Sequence, residues 1–229
     1  MDVKAVFFDI DNTLFDTKRL AEATRRNAIR AMIESGLDVD EDEAYVKLME
    51  LVKKHGSNYG RHFDELLKIY GKEGNPHIIA AGIIAYHSTK TAYLVPYPET
   101  VPTLISIRDR GIKLGIITDG VAVKQWEKLI SLGLQHFFHS VVISEERGVE
   151  KPETTSFLDA CDQVDCKPDE AIMVGDRLEK DVLGANIAGM TSVLLDKHIE
   201  GDHPKPKSER EEPDYIISQL GDLLKILDS

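Results

Sequence analysis

No apolar run in the chain approaches the ~20 residues needed to cross a bilayer, so a membrane protein is not expected. The opening run of Val3, Ala5, Val6, Phe7 and Phe8 is cut short by Asp9. That leaves no secretory signal, and a cytoplasmic location is the expectation. Cysteine is scarce as well. The only two, Cys161 and Cys166, have no histidine or third cysteine at metal-ligand spacing. This argues against a disulfide framework or a zinc site and for two buried or half-buried thiols. Basic residues are in the minority, 28 Lys and Arg against 40 Asp and Glu, for a net charge of −12. Such a chain repels nucleic-acid phosphates unless a local basic patch overrides the field. The nearest candidate, Lys205, Lys207 and Arg210, is interleaved with Asp202, Glu209, Glu211 and Glu212. No nucleic-acid partner is expected. Internal repeats and low-complexity tracts are absent too.

What is present suits a globular chain. With 229 residues, 42% hydrophobic and 30% charged, there is enough apolar matter for one large domain or a core with an insertion. Short apolar strands are expected at 3–8, 113–118, 140–144, 171–175, 192–195 and 215–217. Amphipathic helices are expected between them at 100–110, 121–132, 154–164 and 180–187. Strands that are apolar nearly throughout belong in a parallel sheet covered on both faces. The alternation therefore predicts an α/β fold, a doubly wound, Rossmann-like parallel sheet.

Residues 16–93 break that rhythm. They read as four consecutive helices, at 20–35, 41–54, 63–70 and 78–90. Asp40 followed by Glu43 resembles a helix-opening cap, and Gly36, Gly56 and Gly71 are stop signals. The expected organisation is a core of 1–15 and 94–229 with an all-helical insertion at 16–93. The segment 197–213, charged and rich in proline, is expected to be a surface loop.

Four segments carry chemistry, each at the end of an expected strand. Asp9 and Asp11 follow the first, at the sheet edge where open α/β folds bind ligands. Two carboxylates there suit a hard cation with a phosphate, or a nucleophile beside a proton-transferring acid; an Asx turn is the plainer alternative. Thr118-Asp119-Gly120 ends the second strand, offering a hydroxyl and turn amides to a phosphate oxygen or a simple helix cap. Lys151, before Pro152 and after an expected loop at 145–150, can neutralise phosphate charge or merely be solvated. Gly175-Asp176 with Asp181 adds two further carboxylates, which either meet a helix dipole or converge with the first pair. A converging cluster of that kind needs a cation, and Mg²⁺ fits it.

The ordered set Asp-x-Asp, Thr, Lys and Gly-Asp-x4-Asp resembles the haloacid dehalogenase superfamily over the whole chain, with a helical cap inserted after the first motif. The resemblance implies a Mg²⁺-dependent phosphatase of a small phosphorylated metabolite. Asp9 would be the nucleophile that forms an aspartyl-phosphate, and Asp11 the general acid and base. Thr118 and Lys151 would bind the phosphoryl group, beside Asp119 and Gly120. The metal would be held by Asp9, the Asp11 carbonyl and Asp176, with Asp181 assisting directly or through water. Asp119 departs from the Asn of many relatives, so its carboxylate should point away from a bound dianion. A dehalogenase is disfavoured by Asp11. A sugar phosphomutase and a non-catalytic phospho-binding module are the alternatives. In the insertion, Asn58 and Arg61, with His62, are the expected contacts to the rest of the substrate.

Overall fold

The computed structural model describes residues 2–197 and 203–229. It divides into two compact units, Met1–Asp16 with Val95–Ser229, and Thr17–Leu94.

The first unit is a six-stranded sheet in the order β3-β2-β1-β4-β5-β6. Its strands are β1 (Ala5–Phe8), β2 (Lys113–Thr118), β3 (Ser140–Ile143), β4 (Ala171–Gly175), β5 (Thr191–Leu195) and β6 (Tyr215–Ile217), and every pairing is parallel. This is the doubly wound fold that the alternation of apolar strands and helices predicted. β1 lies in the middle, wholly buried, with Phe8 in register with Ile116 on one side and Val174 on the other. All three strands therefore end at one edge, and Asp9, Thr118 and Asp176 are carried there together. Beneath the edge, Phe7, Phe157, Met173 and Ala185 belong to one buried cluster. Burying each large side chain stabilises the unit by roughly 1.5–3 kcal/mol. Gly115 has no Cβ because the Phe7 ring stands 2.5 Å from where one would be.

The second unit is helical: α1 (Thr17–Glu34), α2 (Glu41–His55), α3 (His62–Ile69) and α4 (Pro76–Tyr93). It has its own core, including Ile29, Met32, Leu48, Leu66, Leu67 and Ile78. Asp40 caps α2, accepting from the amides of Asp42 and Glu43 at 3.0 Å each. Three acidic residues open that helix and Lys53, Lys54 and His55 close it, matching the dipole at both ends. The α1 and α4 helices are each longer than their apolar stripe suggested. Asn75 caps α4 and Pro76 occupies its first position, a start signal that lies outside the stripe.

The remaining helices flank the sheet: α5 (Thr100–Asp109), α6 (Ala122–Ser131), α7 (Ser144–Arg147), α8 (Thr155–Gln163), α9 (Leu183–Ala188) and α10 (Leu223–Leu227). Two expectations are corrected here. The helix expected at 180–187 is a π-helical turn, Leu178–Val182, that leads into α9. The Val182 amide reaches back five residues to the Arg177 carbonyl at 3.3 Å, and the additional residue widens the turn. The loop expected after β3 begins with the short helix α7, closed by Gly148 at φ 73°. Of the expected surface loop 197–213, residues 198–202 lie outside the described residues. Further along, Glu211 is buried and accepts from the Lys207 amide at 2.8 Å. That part is anchored.

The cysteines are free thiols, Cys161 buried and Cys166 half-buried. Among the described residues, no helix is long and apolar enough to cross a membrane. Where the helical unit leaves the α/β unit, the Leu14 carbonyl accepts from the Tyr97 amide at 3.0 Å and from Thr100 Oγ1 at 2.9 Å.

Candidate active site

The C-terminal edge of β1, β2 and β4 holds a small cavity of about 160 Å³. Asp9, Asp11, Asp119, Lys151 and Asp176 line it, joined by Asn12, Arg177 and Lys180. At its base lies Lys151, almost fully buried, with all three protons of its ammonium engaged. They reach Asp9 Oδ1 at 2.9 Å, Asp181 Oδ1 at 2.6 Å and the Ile117 carbonyl at 3.0 Å. Burial alone would lower the pKa of this lysine. The Coulombic pull of Asp181 and Asp9 outweighs it and holds the ammonium charged. Gly175 precedes this cluster because a Cβ there would collide with the Asp181 carboxyl group.

Asp9, Asp176 and Asp181 offer one carboxylate oxygen each, all within 4.8 Å of one another. Three carboxylates share one lysine, so the charge is not balanced. Asp176 responds most: burial, then repulsion by Asp181 and Asp9, raises its pKa to about 7. Asp181 is also raised, by burial and by Asp9, against the opposing pull of Lys151. An all-oxygen, over-negative set at this spacing fits a hard divalent cation.

The shift at Asp176 has a testable sign. A carboxyl raised above its unfolded value of 3.8 binds more protons folded than unfolded through that interval, so metal-free stability falls as pH rises from about 4 to about 7. Metal binding needs the same carboxylates ionised and strengthens over that range. Melting curves are expected to show a higher metal-free Tm at pH 5.5 than at pH 7.5, with the larger rise on adding Mg²⁺ at pH 7.5. The opposite ordering would refute this reading of the cluster.

Thr118 Oγ1, at the end of β2, is buried without a protein hydrogen-bond partner. The Gly120 amide, expected to serve a phosphate, instead donates to Ser144 Oγ at 2.9 Å. The turn is tied to Ser144, the first residue of α7. The Asp119 carboxylate lines the cavity and is held at both oxygens. Its Oδ1 accepts from the Lys151 amide at 3.0 Å and its Oδ2 pairs with Lys180 at 2.5 Å. In the helical unit, Asn58 and Arg61 are exposed, and Arg61 lies 3.6 Å from Asp64. His62 there is partly buried, its pKa lowered by burial and by Arg25.

Several residues escaped the sequence reading. Lys128 grips both Asp11 oxygens, at 2.7 and 2.6 Å, and Gln125 Nε2 approaches the same carboxylate at 3.4 Å. Both stand on α6, with Gln125 and Leu129 on its buried face. Nothing in the sequence of that helix singles out Lys128. Asn12, at φ 57°, donates to Asp176 from its side chain. Lys180 and Arg177 line the cavity from the π turn and the residue before it.

This geometry has counterparts among known proteins. A family model, haloacid dehalogenase-like hydrolase, matches residues 3–189. The chain belongs to that family. A glyceraldehyde 3-phosphate phosphatase from Methanopyrus kandleri is 52% identical over 98% of this chain and 97% of its own length. One of the same name from Pyrococcus furiosus is 46% identical, covering 99% of this chain and 93% of its own length. Among solved structures, a phosphatase of the same family from Thermococcus onnurineus is 30% identical over 98% of both chains, with a TM-score of 0.68. The expectation of a hydrolase from this superfamily is met.

Proposed function

We propose that this hydrolase removes the phosphoryl group from glyceraldehyde 3-phosphate or a closely similar small phosphorylated metabolite. One observation carries the reading: a buried aspartate paired with a buried lysine at the sheet edge, beside two further carboxylates within reach of one cation. The choice of glyceraldehyde 3-phosphate rests on the relatives that bear that name.

In this reading Asp9 attacks phosphorus, the bond to the leaving oxygen breaks, and an aspartyl-phosphate forms. Asp11, two residues on, gives its proton to the leaving oxygen and later takes one from the attacking water. To do so its carboxyl group exchanges Lys128 for the substrate. Thr118 Oγ1 donates to a phosphoryl oxygen. Lys151 holds Asp9 Oδ1 in place and offsets charge on the phosphoryl group. Asp9, Asp176, Asp181 and the Asp11 carbonyl would hold Mg²⁺, which supplies charge neutralisation when bound.

The test is free phosphate release from glyceraldehyde 3-phosphate, phosphoglycolate and hexose phosphates under Mg²⁺. Stoichiometric release, with the highest kcat/KM on glyceraldehyde 3-phosphate, is the expected result. Phosphoryl transfer between sugar phosphates without release would replace this reading with the mutase one.

The helical insertion is assigned the role of a cap, with Asn58 and Arg61 serving the part of the substrate that departs. Such contacts affect substrates unequally. Arg61→Ala is expected to lower kcat/KM for the preferred metabolite by about 10-fold or more, the scale of a lost contact to a charged group, while hydrolysis of p-nitrophenyl phosphate changes little. Equal losses on both would make the segment structural.

A further inference from the structure

The cavity has an electrostatic problem that its own lysines solve separately. Asp9 and Asp181 share Lys151, and Asp11 has Lys128 to itself. That leaves Asp176, one of the carboxylates that would meet the cation, and Asp119, which lines a cavity that must admit a phosphate dianion. Unlike the amide that many relatives carry at this place, it brings a negative charge. In the structure its Oδ2 lies 2.5 Å from Lys180 Nζ, with both side chains about four-fifths buried. Lys180 also reaches Glu150 at 3.1 Å, but Glu150 is 69% exposed and its pairing is screened. Asp119 Oδ1 meanwhile holds the Lys151 amide at 3.0 Å. One carboxylate thus ties the end of β2 to the Lys151 loop and to the π turn.

The position of Lys180 follows from that turn. It immediately precedes Asp181, whose carboxylate is turned inward to Lys151 and to the Arg177 amide, 3.0 Å away. With Asp181 so placed, Lys180 faces Asp119.

We propose that Lys180 is a positioning residue for phosphate binding. Its ammonium cancels the charge of Asp119, which lets a carboxylate do the structural work of an amide beside a dianion. The essential feature is the dependence of Lys180 on Asp119. Without Lys180, the Asp119 charge faces the incoming phosphate. With an amide at 119, that penalty does not arise, because Asn can still accept from the Lys151 amide.

A double-mutant cycle reads this dependence directly. Binding of inorganic phosphate is measured calorimetrically in the presence of Mg²⁺, so the outcome does not depend on turnover or on which ester is the substrate. Failure of the substrate assignment would leave this result standing. Lys180→Met is expected to weaken phosphate binding by about 10-fold, within the span of couplings between charged neighbours. In an Asp119→Asn background the same substitution should change it by less than about twofold. Lys180→Arg, which keeps the charge, should stay near the unsubstituted protein and shows that the turn tolerates substitution. Equal losses from Lys180→Met in both backgrounds, or no loss in the first, would overturn the proposal. So would a Lys180→Arg variant as impaired as Lys180→Met.

Discussion

Asp9→Asn is expected to eliminate phosphoenzyme formation and to lower turnover on any phosphate ester by on the order of 10⁴-fold or more, the scale of losing a nucleophile. An amide carries no charge to donate to phosphorus, and Asp181, the other carboxylate that Lys151 holds, also accepts from the Arg177 amide and does not line the cavity. The same variant should fold at least as well as the parent. Asp9 belongs to three mutually repelling carboxylates, and neutralising one relieves the other two. Lys151 keeps Asp181 and the Ile117 carbonyl, and an Asn oxygen can still accept its third proton. Its Tm should therefore equal or exceed that of the parent in the metal-free state, as when an active-site group is held at a cost in stability. Rapid-quench trapping of labelled phosphoenzyme, paired with melting curves, measures both. A phosphorylated Asp9→Asn protein would remove Asp9 from the role. A large drop in Tm would show that the carboxylate is needed for folding.

Metal removal is the second large effect. Exhaustive chelation is expected to bring hydrolysis to background and Mg²⁺ to restore it, while secondary structure persists throughout. The argument is one of charge. Asp9, Asp176 and Asp181 face Lys151 as their shared cation, and an incoming phosphate dianion would add to an already negative site. The electrostatic preorganisation on which phosphoryl transfer depends cannot be met by one lysine that is already fully engaged. Persistence of structure follows because the sheet core beneath the site is apolar and independent of the cluster. Undiminished hydrolysis after chelation would refute the metal reading. Loss of the far-ultraviolet dichroism would mean that the ion is structural.

The sequence disclosed the site unevenly, for physical reasons. Asp9, Thr118 and Asp176 were legible because each follows a strand that is apolar almost throughout. Parallel pairing in register then places such residues at one edge whatever the intervening chain does. Lys128 and Lys180 were not legible. A lysine on an amphipathic helix normally extends its stem along the surface and keeps its head in water. Only the three-dimensional proximity of Asp11 and Asp119 shows that these two do otherwise. The π turn was invisible for a related reason: apolar periodicity around Leu178, Val182 and Ala185 fits one helix nearly as well as a widened turn followed by another. The hydrogen bond from the Gly120 amide to Ser144 Oγ was not legible either, because nothing in the apolar pattern marks Ser144 as the start of a helix.

The central placement of β1 determines when this enzyme can first work during its own synthesis. β1 is the first strand made, yet Ala5 registers with Lys113 and Ala171 and has no nearer strand to pair with. Chains are delivered to the folding milieu from the N-terminus at roughly 5–20 residues per second. Asp9 therefore emerges many seconds before the strand that carries Asp176. In that interval the helical segment Thr17–Leu94, whose contacts are local and whose core is its own, can condense and shorten the loop that β2 must close. The apolar β1 segment, Ala5–Phe8, stays unpaired until then, exposed to aggregation as any uncovered strand is. Hydrolytic activity in a nascent-chain experiment would mark the pairing of β4 with β1, not the earlier pairing of β2.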